Sequence, residues 1–154
     1  MDKPNLLWHY TVLVRLQQIL ADGEIRPALI GGSRKERPAV WFSANQQWEE
    51  AVNRLAQSTD GLRFVMNTVQ THELGGGLAR IGVSPEVAVH DWKQFKQLSG
   101  ISTRAASEIY NRAAHLGSRP GEWFASFEAV PRSAWKAVEV WDGMQWIPYG
   151  PAGM

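Results

Sequence analysis

Apolar residues recur with two different periods along the 154-residue chain. Residues 6–11 (Leu-Leu-Trp-His-Tyr-Thr) are bulky and aromatic types suited to a strand. Leu13, Leu16, Ile19 and Leu20 then fall on one helical face. Thr11 is placed to cap a helix over 12–22 and Gly23 to stop it. A short strand is expected over 25–28, a polar loop over 31–37 and a compact apolar strand over 39–43. Asn45 is placed to cap a helix over 46–57 that turns Trp48, Val52 and Leu55 inward. A turn over 58–61 precedes a strand over 62–71, with alternation at Phe64 and Met66. The triplet Gly75–Gly77 breaks the chain before a further strand over 78–83. Helices follow over 91–98 and 102–116. In the second, Ala105, Ile109, Ala113 and Leu116 share a face and Gly117 ends it. Strands over 122–130, 137–141 and 145–148 complete the chain, the last two joined by a hairpin-like turn at Asp142-Gly143. Strands and helices mix without regular alternation. The β-rich end predicts an α+β fold with mainly antiparallel strands and flanking helices, not a doubly wound sheet.

The length suits one domain, taken as 1–148 with a Pro/Gly tail at 149–154. A 44% hydrophobic share is enough for a real core and excludes disorder as the main state. Sixteen Lys+Arg against fifteen Asp+Glu leave a net charge of +1, which argues against a protein that coats polyanions. The absence of cysteine removes thiolate nucleophiles, thiolate metal sites and disulfides. The eight Trp imply core pillars and some stacking surface. No run approaches the roughly 18 apolar residues of a membrane span, and the first residues lack the pattern of a secretory signal. A cytoplasmic protein without membrane contact is expected.

Several chemical signals fail. His72-Glu73 opens like a zinc-protease helix, but glycines replace the second His. Gly75–Gly77 lacks the Lys and Ser/Thr of a phosphate loop. His90-Asp91 is too small a ligand set, and no metal is expected. The loop 34–37 (Arg-Lys-Glu-Arg) is a solvated face that also offers Arg34 and Arg37 as phosphate contacts, since guanidinium forks match phosphate oxygens.

Three pieces stand in order across the chain. They are His9-Tyr10-Thr11 at the end of the first strand, Trp41-Phe42-Ser43-Ala44 on another, and Glu122-Trp123-Phe124 at the start of a late one. The set resembles the ADP-ribosyltransferase superfamily in its His–Tyr–Glu branch, which includes poly-ADP-ribose polymerases, diphtheria-type toxins and DNA-targeting toxins. Trp41 stands where the branch usually has Tyr, and Tyr10 where many members have Gly. The second change sets a bulky side chain beside the cleft.

The resemblance implies split, mainly antiparallel sheets around an NAD cleft. It also implies transfer of ADP-ribose from NAD, as substrate, to a macromolecular acceptor, in the manner of a toxin or effector. His9 would hold a ribose hydroxyl, the Tyr10 backbone the nicotinamide amide, and Trp41 the nicotinamide ring, with Thr11 and Ser43 in the same motifs. Glu122 would face the positive charge that grows on the ribose carbon, stabilising the transition state above the ground state. Glu128 lies an even number of residues away, on the same face of a regular strand, and is the rival or helper carboxylate; Glu139 is a weaker rival. Two other functions fit the same residues: NAD hydrolysis in the same cleft, and a non-catalytic interaction domain or inhibitor that uses Trp side chains as anchors.

Overall fold

The computed structural model describes residues 6–31, 33–49 and 76–149, together with the backbone of two short strands at 55–57 and 63–65. Strand β1 (Leu7–Val12) runs directly into helix α1 (Leu13–Asp22), followed by β2 (Glu24–Ile25) and β3 (Val40–Ser43). β4 (Leu55–Gln57) and β5 (Arg63–Val65) pair with each other. β6 (Leu78–Val83) and β7 (His90–Asp91) precede helices α2 (Trp92–Leu98) and α3 (Thr103–Leu116). The chain ends with β8 (Trp123–Ser126), β9 (Val130–Pro131), β10 (Trp135–Trp141) and β11 (Trp146–Pro148).

Seven strands form one sheet in the order β11-β10-β6-β1-β3-β8-β7, and every pair is antiparallel. With three flanking helices among the described residues this is the expected α+β class. β6 lies between β1 and β10 and is buried along its whole length. It passes so close to Trp8 that a Cβ on Gly82 would sit 2.8 Å from the indole. β2 and β9 form a separate pair. Among the described residues, no helix is long and apolar enough to cross a membrane.

The helices end where the sequence sets their caps. Gly23 and Gly117 take the left-handed conformation at the ends of α1 and α3, where a side chain would be strained. Asp91 and Gln94 form a reciprocal capping box on α2, and the Ser102 hydroxyl accepts from the Ala105 amide at the start of α3. α1 starts without any such cap. Its N-cap is Val12, which has no side-chain acceptor, and its Leu13 amide donates to the Gly77 carbonyl at 2.8 Å. Thr11, expected as the cap, lies within β1 and is buried.

Among the described residues, three clusters make the core. Leu16, Ile25, Val40, Phe42, Ile81 and Val83 pack beneath α1. Trp92, Phe95, Ala113, Trp123 and Ala125 join α2 and α3 to the β8 side of the sheet. Trp8, Tyr10, Trp48 and Leu78 form a third cluster with Trp141 and Trp146 packed against it.

The expected helix does not span 46–57: residues 46–49 are irregular and 55–57 are strand, while residues 50–54, Val52 among them, lie outside the described residues. The Trp48 ring is held instead against Tyr10 and Trp146, at 5.3 and 6.5 Å between centroids. These long-range partners replace the helical face that its spacing suggested. The turn over 58–61 lies outside the described residues, and of the strand over 62–71 only Arg63–Val65 is described. The strand expected over 25–28 is displaced to Glu24–Ile25, with Ala28 forming an isolated bridge to Ala39. The strand expected over 122–130 divides into β8 and β9. The Ser126 hydroxyl donates to the Glu128 carbonyl and accepts from its amide, turning the chain there. The hairpin at Asp142-Gly143 forms, with Asp142 Oδ1 accepting from the Met144 and Gln145 amides.

Candidate functional site

β1 and β3 are sheet neighbours at a single position, Trp8 opposite Ser43. Beyond it their ladder stops, although β1 continues to Val12 and β3 begins at Val40. The His9 side chain bridges this gap: its Nδ1 lies 2.8 Å from the Trp41 carbonyl oxygen. A carbonyl only accepts, so Nδ1 carries the hydrogen and Nε2 remains an acceptor. Burial lowers the His9 pKa below its ordinary 6.5. The Trp41 hydrogen bond opposes that shift, and the positive charge of Arg15 reinforces it. The imidazole is therefore neutral at pH 7.

A cavity of about 560 Å³ lies along the gap, walled by α1 and α3. That is within the usual range of small-ligand sites, roughly 300–1,000 Å³. His9, Tyr10, Thr11, Trp41 and Ser43 all line it. The two sequence pieces that carry these five residues are thus brought together.

Their side chains have different freedom. The Tyr10 ring is committed to the third cluster, with its hydroxyl donating to the Asn45 carbonyl and accepting from Arg80 Nη1 at 3.2 Å. Burial pushes that phenol up to about 12, against the opposing effect of Arg80. Its bulk is accommodated in the aromatic cluster. The Trp41 ring lies among Phe95, Trp92 and Trp123, with centroids 4.6, 6.0 and 6.1 Å away, and its indole nitrogen is buried without a hydrogen-bond partner. Aromatic contacts hold Trp41 at the wall and compete with any ligand for its faces.

The third sequence piece reaches the cavity only through Trp123. Glu122 closes a 3-10 turn (Pro120–Glu122) just before β8, and its carbonyl accepts from the Ala44 amide at 2.8 Å. Glu122 does not line the cavity. Neither does Glu128, which is exposed past the end of β8, so strand alternation does not relate it to Glu122. Glu139 pairs with Arg80. Arg34 and Arg37 are exposed and outside the cavity, the latter with its guanidinium 4.1 Å over the Phe127 ring. Among the described residues, no three His, Asp or Glu side chains converge as a metal site.

Among the described residues three carboxylates line the cavity, Asp22, Glu24 and Glu49, and of these Glu49 is the buried one. Its Oε1 accepts from the Ser43 hydroxyl and the Trp123 indole, each at 2.9 Å, and its Oε2 accepts from the Ser118 hydroxyl. Segments from three parts of the chain thus orient one acid group beside β3. Arg15 and Arg112 also line the cavity, from α1 and α3. Sequence reasoning missed all three. Glu49 fell inside the expected helix over 46–57, and the two arginines look like ordinary solvated positions on amphipathic helices. The one available signal for Glu49 was its place shortly after the Trp41–Ser43 strand.

No protein-family model, curated protein or solved structure matches the chain.

Proposed function

We propose that the chain is an NAD-consuming ADP-ribosyltransferase whose cleft is the cavity between α1 and α3. The observation that carries this reading is that a neutral imidazole acceptor and a buried, oriented carboxylate line one cavity at the gap between β1 and β3. The residues present suit the dinucleotide. There is an acceptor for a ribose hydroxyl, a carboxylate for a centre that becomes positive, and guanidinium groups near enough to the lining to meet phosphates.

Bound NAD would supply a ribose–nicotinamide bond whose cleavage leaves positive charge on the ribose carbon. Glu49 stabilises that charge from a position already fixed by Ser43, Ser118 and Trp123, so little reorganisation is needed during reaction. His9 accepts a hydrogen bond from a ribose hydroxyl through Nε2, its ring held in register by the Trp41 carbonyl. The aromatic wall at Trp41 keeps the nicotinamide side apolar. We assign the catalytic carboxylate to Glu49 in preference to Glu122, because Glu49 lines the cavity, and in preference to Asp22 and Glu24, because it is buried and they pair with Arg26.

The test is nicotinamide release from NAD by wild type, Glu49→Gln and Glu122→Gln. The expected result is loss of about two orders of magnitude or more in Glu49→Gln, the scale typical of removing one electrostatic stabiliser, with Glu122→Gln near wild type. Free ADP-ribose as the product would make water the acceptor. No release and no NAD binding by the wild type would overturn the assignment in favour of a non-catalytic interaction domain.

A further inference from the structure

Among the described residues, six charged side chains line the cavity: Arg15, Arg26, Arg112, Asp22, Glu24 and Glu49. They sum to zero but are not evenly partnered. Arg26 lies 3.7 Å from Asp22 and 3.5 Å from Glu24, so these three form a compensated group. Glu49 is engaged by two hydroxyls and an indole. Arg15 and Arg112 have no carboxylate within 4 Å among the described residues. Arg104, on the same helix as Arg112, is by contrast paired with Glu108 at 3.3 Å. Two helices thus each give the cavity one guanidinium whose charge is not met by a carboxylate among the described residues.

We propose that Arg15 and Arg112 clamp the phosphate groups of the cleft's ligand, so that the cleft selects nucleotides over nucleosides. The proposal rests on the NAD reading for the identity of the whole ligand, but the clamp requires only phosphate. Guanidinium groups present planar forks of donors that match phosphate oxygens, and two of them suit a diphosphate better than a single phosphate. The charge layout is polar in the sense NAD needs. The unmatched cations would meet the diphosphate, and the carboxylate would meet the end that turns positive.

The test is calorimetric titration of NAD, ADP, AMP and adenosine into wild type, Arg15→Gln, Arg112→Gln and the control Arg104→Gln, with nicotinamide release from NAD measured on the same preparations. All three arginines are exposed, so the variants should fold. The expected result is affinity in the order ADP, AMP, adenosine. Each cavity variant should lose about tenfold or more for ADP, the effect of a lost charge-assisted hydrogen bond, with adenosine affinity unchanged and Arg104→Gln like wild type. Equal affinity for ADP and adenosine, absence of ADP binding, or wild-type ADP affinity in both cavity variants would overturn the clamp. Arginine-dependent ADP binding with neither NAD binding nor nicotinamide release would keep the clamp and refute the transferase reading. Release with wild-type KM in both variants would do the reverse.

Discussion

Glu49 accepts hydrogen bonds from three buried donors, and two substitutions test that role. In Glu49→Leu, the Ser43 hydroxyl, the Ser118 hydroxyl and the Trp123 indole all lose the acceptor that holds them. Trp123 keeps a 3.2 Å contact to the Ser118 oxygen, so two buried donors are left without a partner. At about 1–3 kcal/mol per unsatisfied buried donor, the cost is about 2–6 kcal/mol. For a chain of this size each kcal/mol lowers Tm by about 2–4 °C, so the midpoint should fall by about 5–20 °C. Glu49→Gln keeps an acceptor oxygen for Ser43 and Trp123, and its amide can donate to a Ser118 hydroxyl that has reversed its role. Its cost should be about 1 kcal/mol and a few degrees. Thermal unfolding followed by tryptophan fluorescence reads both. A Glu49→Leu variant as stable as wild type would refute the hydrogen-bonding account, and so would a Glu49→Gln variant as damaged as Glu49→Leu.

Two further outcomes follow from the buried polar groups. Arg80 lies between the Trp8 and Trp146 rings, 3.7 and 4.4 Å from their centroids, and pairs with Glu139 at 2.6 Å. Arg80→Met should cost about 3 kcal/mol, the low end for breaking a buried pair because Glu139 retains 22% side-chain exposure. The double variant Arg80→Met/Glu139→Leu should be more stable than Arg80→Met alone in urea unfolding; a double variant that is worse by the sum of the single costs would count against the pairing. His9 has a lowered pKa in the fold, so the unfolded chain binds its proton more readily. Its contribution to stability is complete above the ordinary 6.5 and is lost as pH falls from there through the folded value. Wild type should therefore lose more unfolding free energy between pH 7.5 and pH 5 than His9→Asn, and equal losses would contradict the buried neutral ring.

The parts of the fold that were legible in the sequence are those with local causes. The ends of α1 and α3 follow from glycines that take positive φ, and the start of α2 from a reciprocal capping pair. The β10–β11 hairpin follows from an Asp-Gly turn that satisfies its own amides. What was not legible depends on distant partners. Trp48 shows helical spacing with Val52 and Leu55, yet its ring is fixed by Tyr10 and Trp146. Glu49 is fixed by Ser118 and Trp123, about seventy residues further on, and no local pattern marks it. His9, Thr11, Trp41 and Ser43 were singled out from short motifs, and the gap between β1 and β3 brings them to one cavity. Glu122 has the matching residue type, but the turn it occupies leaves it outside.

The central claim is that His9 presents a neutral Nε2 acceptor to a ligand in this cleft. Nitrogen-15 correlation spectra of the imidazoles, with the His9 signals assigned by their loss in His9→Asn, read that directly. The account predicts an Nδ1-protonated tautomer near pH 7 and a saturable shift of Nε2 on titration with NAD. An Nε2-protonated tautomer, or an Nε2 signal that NAD leaves unmoved, would contradict it.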